Sequence, residues 1–144
     1  SDLYGSGKQV IGVFENFGLC EGAFATTITH DSHNLLVVYR DPESALKAVQ
    51  ALQACGGGIC AVKDSKASVL ELPVAGLMSN LPCRQMAERI ETVQKAVQEI
   101  TTPETSLLGA SIMSLTALPG VTITDFGLVD GISQTLLPVF PSER

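Results

Sequence analysis

The chain has 144 residues and a formal net charge of −6, which predicts one domain with a substantial apolar core. Its nine Lys and Arg residues are scattered, Trp is absent and aromatic side chains are few. An acidic chain without a basic stripe repels phosphate, so no nucleic-acid partner is expected. No apolar run reaches the roughly 18 residues of a membrane span, and the N-terminus lacks a secretory pattern. We expect a cytoplasmic protein with no membrane contact.

The first part of the chain predicts strands and one helix with clear ends. Residues 1–9 are predicted to be an N-terminal segment that is disordered or not native to the protein. Asp41 and Pro42 predict a helix start, because Asp caps the first turn and Pro suits the first helical position. That helix should end at the triple glycine 56–58, which we interpret as a helix cap rather than as a site where a ligand or another backbone approaches. Runs of β-forming residues predict strands over 10–14, 23–28, 35–39, 59–63 and 68–72.

The remainder of the chain predicts a long helix followed by less regular structure. Residues 82–100 have a helical apolar stripe and should be capped by Ser79 or Asn80. Five residues form that stripe, which should face the core: Met86, Ile90, Val93, Val97 and Ile100. Residues 106–118 fit either a helix or a strand, 121–124 predict a strand, and 136–140 predict an edge segment. Gly127, Asp130 and Gly131 are expected in loops.

The order of these elements predicts the fold class and the place of the cysteines. We expect an α/β (α+β) fold with a mixed β-sheet covered by two or three helices, in a single domain over residues 10–144. The four cysteines form no CxxC pair, so they are expected to be small buried apolar side chains rather than metal ligands.

Polar chemistry is concentrated in one loop between two predicted strands. The loop contains both histidines of the chain, and its candidate residues are His30, Asp31, Ser32, His33 and Asn34. Two imidazoles and a carboxylate could supply three metal ligands, although such sites usually draw on separate segments. A polar turn that bonds its own backbone amides is the alternative. A hydrolytic triad is not supported, because no Ser lies in a GxSxG elbow.

An ordered series of motifs resembles the C-terminal region of bacterial adenine deaminases. The resemblance runs from about residue 10 to about residue 140, and the series is much more specific than any single motif. The motifs that carry it are residues 18–25, 27–34, 56–58, 72–79, 115–119 and 124–130.

The resemblance implies a metal-dependent enzyme of the amidohydrolase superfamily, which hydrolyses adenine to hypoxanthine and ammonia in purine salvage. In that family, manganese or iron is bound by a (β/α)8 barrel. This chain is too short for the about 250 residues of such a barrel, and it has no His-x-His pair. It also lacks the Cys and His signature of cytidine-type zinc deaminases. We therefore expect a C-terminal domain without its catalytic barrel, with no metal bound in this fragment and no catalytic residue assigned.

The same resemblance frames three function classes for the chain. In the first, residues 30–34 form an active-site or interdomain loop that contacts adenine, closes the site against water, or pins the domain to its own catalytic barrel. In the second, the chain is a non-catalytic interdomain module or a homo-oligomerisation module. The third class is an independent small-molecule binder that uses the His30 loop and the triple glycine. The fragment alone is expected to be inactive.

Overall fold

The structure is a computed structural model that describes residues 7–30 and 32–140. Its main body is a four-stranded sheet in the order β2-β1-β3-β4, and every neighbouring pair is antiparallel. β1 is buried along its whole length, and β3 is buried at every residue except Lys63. The strands are β1 (Ala23–Thr26), β2 (Leu36–Tyr39), β3 (Gly58–Lys63) and β4 (Lys66–Glu71).

Two helices cover the opposite faces of this sheet. The helix α1 (Pro42–Cys55) packs on one face, where alternate residues of β1 and β3 are small and allow close approach. The helix α2 (Cys83–Ile100) packs on the other face, where the alternate residues are larger. Because successive strand side chains point to opposite faces, one sheet serves both helices. The α1 layer contains Ala23, Ala25, Ala48, Leu52, Cys60 and Val62, and the α2 layer contains Phe24, Ile59, Ala61, Leu70, Val93, Val97 and Ile100.

Both ends of α1 follow from local chemistry. The Asp41 side chain accepts a hydrogen bond from the Ser44 amide at 2.7 Å, which confirms the predicted cap. Gly56 ends the helix in a left-handed conformation with φ of 82°, which favours glycine. Gly58 has a second reason to be glycine, because a Cβ there would lie 1.9 Å from the Leu70 carbonyl oxygen. The triple glycine is therefore a helix cap that continues into a close contact between backbones.

The helix α2 lies where the sequence predicts it, but its start differs. Pro82 occupies the N-cap position and makes no side-chain cap bond, so the prediction of a Ser79 or Asn80 cap is wrong. The Ser79 hydroxyl instead accepts a hydrogen bond from the Leu81 amide, within the turn that precedes the helix. Of the predicted stripe, Val93, Val97 and Ile100 are buried and Met86 is partly buried, whereas Ile90 is exposed.

A second, three-stranded antiparallel sheet follows, in the order β5-β6-β7. A short helix, α3 (Leu107–Ser111), precedes this sheet. The sequence allowed either a helix or a strand over residues 106–118, and residues 107–111 are helical. The strands are β5 (Val121–Thr124), β6 (Gly127–Asp130) and β7 (Thr135–Leu137). The edge prediction for residues 136–140 holds for Leu136 and Leu137, which lie in the edge strand β7.

The α+β class, the single domain and the covering helices are confirmed. The strands, however, pair in two antiparallel sheets rather than in one mixed sheet. β2 and β3 run in the same direction and are joined through α1, but β1 lies between them and is antiparallel to both. An insertion of this kind cannot be read from the order of elements alone.

Three local predictions are corrected. Residues 10–14 form no strand, because this extended segment pairs with no described strand and lies with Gly12 against the side chains of Ile123 and Leu128. Gly127 and Asp130 belong to β6, since a hairpin with β5 satisfies their backbone. Cys60 is buried as predicted, but Cys20 and Cys83 are exposed. The predicted N-terminal segment at residues 1–9 falls largely outside the described residues.

Candidate functional site

The loop between β1 and β2 is held on the body of the domain by its backbone. The Ile28 amide donates to the hydroxyl of Thr26 at 3.0 Å, so the chain turns directly after β1. The His30 amide donates to the Ser111 carbonyl at 2.9 Å, and the Ser114 hydroxyl donates to the His30 carbonyl at 2.7 Å. Both bonds tie the loop to the end of α3 and the turns that follow it. The position of His30 is therefore fixed from outside the loop.

The loop also closes on itself. The His33 amide donates to the Thr29 carbonyl at 3.0 Å, and the Thr29 hydroxyl donates to the Asn34 carbonyl at 2.7 Å. His33 has a φ of 51°, a left-handed conformation that Asn, Asp and His adopt more readily than most residues. Thr29 is only 2% exposed, so its hydroxyl bond forms away from water. The alternative from the sequence is a turn in which the Asp31 and Asn34 side chains bond backbone amides. Here the bonds come from the Thr29 hydroxyl and the backbone, the Oδ1 of Asn34 has no partner among the described residues, and Asp31 lies outside them.

The turn presents both imidazoles at the surface. His30 and His33 are exposed, whereas Ser32 and Asn34 are partly buried. Asp31, the carboxylate of the predicted set, lies outside the described residues. Across residues 7–30 and 32–140, no three His, Cys, Asp or Glu side chains are grouped so that they could share a metal ion. The residues that the structure describes do not fit a three-ligand metal site.

Beneath the turn lies a cavity of about 400 Å³, between the four-stranded sheet and the second sheet. Ser32 and Asn34 form its polar end, and the Oγ of Ser32 and the Oδ1 of Asn34 are buried with no hydrogen-bond partner among the described residues. A hydroxyl can donate and an amide oxygen can accept, so this end can bind a polar group. The apolar part of the wall includes Leu35, Val49 and Ile123.

Some residues at this site escape sequence reasoning. Ser114 and the segment that begins at Lys8 reach the cavity from distant parts of the chain, and nothing in their local sequence marks them. Asp125 also lines the cavity, and the sequence gives it no role beyond its place in the motif 124–130. Strand and loop patterns report local conformation, whereas this cavity is formed by long-range packing.

The triple glycine lies apart from this cavity, and the protein's own atoms occupy the space around it. A Cβ at Gly57 would lie 2.6 Å from the Cα of Gly76 and 2.9 Å from the hydroxyl oxygen of Thr27. That hydroxyl also accepts a hydrogen bond from the Gly58 amide. Gly57 and Gly58 therefore accommodate neighbouring backbone, and the structure does not join them to the His30 loop in one ligand site.

Comparisons with known proteins agree with the motifs of the sequence. Residues 2–135 match the family described as "Adenine deaminase C-terminal domain". A protein named adenine deaminase from Clostridium botulinum (strain Langeland) is 41% identical over 140 residues, which are 96% of this chain and 23% of that protein. One from Methanoregula boonei is 35% identical over 138 residues, 96% of this chain and 25% of that protein.

A third adenine deaminase, from Methanothermobacter thermautotrophicus, is 41% identical over 130 residues, 90% of this chain and 24% of that protein. The chain thus spans about a quarter of the length of these relatives. The match covers the His30 turn, both helices that cover the first sheet and most of the second sheet. The chain belongs to the adenine deaminase C-terminal domain family.

Proposed function

We propose that this chain serves a metal-dependent adenine deaminase as its C-terminal domain and performs no deamination by itself. The observation that carries the proposal is the match of nearly the whole chain to the C-terminal domain family, at about a quarter of the length of proteins named adenine deaminase. In this proposal a separate barrel binds manganese or iron and converts adenine and water to hypoxanthine and ammonia. The full enzyme then acts in purine salvage in the cytoplasm.

We assign the accessory role of this domain to the turn of residues 30–34, the His30 turn. Its backbone is fixed by bonds from Ser111 and Ser114, while the imidazoles of His30 and His33 are exposed. A rigid turn that projects two side chains able to donate and accept hydrogen bonds can contact a purine or a neighbouring domain. We propose that the turn faces the mouth of the barrel, where it contacts adenine or limits the access of water.

The first experiment measures ammonia release from adenine by this chain alone and by the complete enzyme, each with manganese or iron(II) added. We expect turnover only from the complete enzyme, because this domain supplies no metal site of its own in the proposal. Sustained ammonia release by the purified chain would overturn the accessory role and would place the catalytic groups here.

The second experiment replaces His30 by Ala and His33 by Asn, one at a time, in the complete enzyme, because Asn also adopts the left-handed conformation of position 33. If the turn contacts adenine, each change should lower kcat/KM by roughly 10-fold, about the value of one lost hydrogen bond, and should leave the unfolding midpoint unchanged. Gln53→Ala, at an exposed position of α1, is the matched control and should have no effect. Full turnover and full stability in both histidine variants would remove the turn from the active site.

The second candidate function is a non-catalytic interdomain or self-association module. Exposed apolar side chains in the second sheet favour an interface of some kind. Light scattering on the isolated chain separates self-association from docking within one enzyme, because only self-association raises the mass of the isolated chain.

A further inference from the structure

The second sheet is thinly covered in comparison with the first. Among its strand residues that the structure describes, only Thr122 and Leu128 are buried. In the segment 10–14, Gly12 lies against the side chains of Ile123 and Leu128 and covers part of one face. A small sheet in water needs an apolar face packed against other structure, and much of this sheet lacks that cover.

The largest exposed apolar side chains of this sheet lie along β7 and the turns beside it. Phe126, Ile132 and Phe140 are each more than 70% exposed, and Leu136 is 62% exposed. Leu136 packs over Gly127, where a Cβ would lie 3.4 Å from its Cδ2 atom, so its side chain lies beside the hairpin turn that contains Phe126. We name as the β7 surface the residues Phe126, Ile132, Leu136, Val139 and Phe140.

Charged residues are few in the segment that forms this surface, although the Nζ of Lys8 lies 5.1 Å from the centroid of the Phe126 ring. Between residues 107 and 140 the charged residues are Asp125 and Asp130, whereas the 18 residues of α2 contain six. The Asp130 carboxylate accepts hydrogen bonds from the Ile132 amide and the Ser133 hydroxyl, so it is bound within its own turn. Edge strands that face water are usually protected by charged side chains, and residues 132–140 contain none. Loss of charge with gain of aromatic residues is typical of the centre of an interface.

We infer that the β7 surface is the docking surface for the catalytic portion of the same adenine deaminase, an inference that rests on the proposed function. About three-quarters of the length of each relative lies outside the matched region, so a large neighbour exists in those proteins. The cavity beneath the His30 turn is lined both by that turn and by Ile123 and Asp125 at the second sheet. The second sheet therefore meets the cavity at β5, and Phe126 of the β7 surface directly follows Asp125 of the cavity wall.

Backbone hydrogen exchange tests this docking directly. Exchange is measured for residues 132–140 in this chain alone and in the complete enzyme. We expect exchange to slow by at least ~100-fold in the complete enzyme, because an interface suppresses local opening. The amides of the β3–β4 turn, Asp64 and Ser65, are the internal control and should exchange equally in both. Equal rates for residues 132–140 in the two proteins would overturn the inference.

A pair of variants in the complete enzyme provides the second test. Ile132→Asp with Phe140→Asp places two carboxylates in the β7 surface at positions outside the strands. We expect limited proteolysis to separate this domain from the rest at least ~10-fold faster than in the parent enzyme. Leu46→Asp with Met78→Asp is the matched control, since both side chains are exposed apolar residues elsewhere on the domain, and it should leave the rate unchanged.

The outcomes distinguish the docking surface from the proposed function. An unchanged cleavage rate in the β7 variant, with adenine turnover retained by the complete enzyme, overturns the docking surface alone. Turnover by the isolated chain overturns the accessory function. A dimer of the isolated chain that the β7 variant dissociates would show that a second copy occupies this surface and would overturn the inference.

Discussion

At the scale of single residues, Thr27 connects two strands of the first sheet with the turn before α2. Its hydroxyl accepts a hydrogen bond from the Gly58 amide at 2.8 Å and donates one to the Gly76 carbonyl at 2.5 Å. Its own amide bonds to the Gly58 carbonyl at 3.0 Å. The side chain thereby joins the end of β1, the start of β3 and the turn before α2. Glycine at these positions leaves room for the hydroxyl to reach both backbones.

Replacement of Thr27 by Val keeps the shape of the side chain and removes both hydroxyl bonds. We expect a loss of about 1–3 kcal/mol in the free energy of unfolding, since the Gly58 amide loses its bond in a partly buried site. Urea denaturation of the purified chain measures this value. Thr92→Val is the control, because its hydroxyl bonds only to the Glu88 carbonyl on an exposed face of α2. A Thr27 variant as stable as the control would contradict this role.

Individual roles of this kind were only partly predictable from the sequence. The Asp41 cap follows from two adjacent residue types, so it was predicted correctly. Ser114 and Thr27 act on partners that are 84 and 31 positions away in the sequence. A local pattern contains no information about such pairs, and only the fold brings them together.

At the scale of elements, the start of α1 depends on the ionised Asp41 carboxylate. The Ser44 amide donates to this carboxylate, and that hydrogen bond lowers the pKa of Asp41 below its ordinary value of 3.8. The first turn of a helix also favours negative charge because of the helix dipole. The cap therefore contributes fully above the ordinary pKa and weakens as the pH falls through the lowered pKa.

The Asp41→Asn variant isolates this pH dependence, because Asn also caps helices but does not ionise in this range. We expect the parent chain to have the higher Tm at pH 6 and the difference to shrink below about pH 4, where the carboxylate gains a proton. Thermal unfolding of both proteins between pH 2 and pH 6 measures this difference in Tm. A difference in Tm that stays constant over this range would show that the charge of Asp41 is not involved.

Among the elements, those with strong local signals were predicted well and those that depend on partners were not. The helix α1 has a cap, a Pro and a terminating glycine in its own sequence, and its bounds agree with the prediction. Residues 10–14 are a run of β-forming residues, yet a strand requires a partner with free backbone groups, and no described strand provides one. Residues 127–130 contain Gly and Asp, which favour loops, but pairing with β5 and β7 overrides that preference.

At the scale of the whole molecule, the two sheets differ in what stabilises them. The first sheet has helices on both faces and two apolar core layers. The second sheet has few buried residues and many exposed apolar ones, a pattern that composition alone could not predict because exposure depends on the fold. No helix in the described part of the chain is both long and apolar enough to cross a membrane.

The small side chains that let α1 lie close to the first sheet also determine the reactivity of the thiols. Cys60 is fully buried in this layer, and burial, with a smaller effect from Cys55, raises the pKa of its thiol to about 11. Alkylation requires an accessible thiolate, so Cys60 is unreactive in the native state at pH 8. Cys20 and Cys83 are exposed and should react within the first minutes with iodoacetamide.

Cys60 therefore acts as an internal reporter of unfolding. We expect its alkylation, followed by mass spectrometry of the peptides, to follow the fraction of molecules in which α1 has separated from the sheet, because reclosing outpaces alkylation, and to accelerate in urea as the domain unfolds. Modification of Cys60 as fast as that of Cys20 in native buffer would contradict the close packing of α1 on the first sheet. The same thiol makes the free energy of this opening measurable without any introduced label.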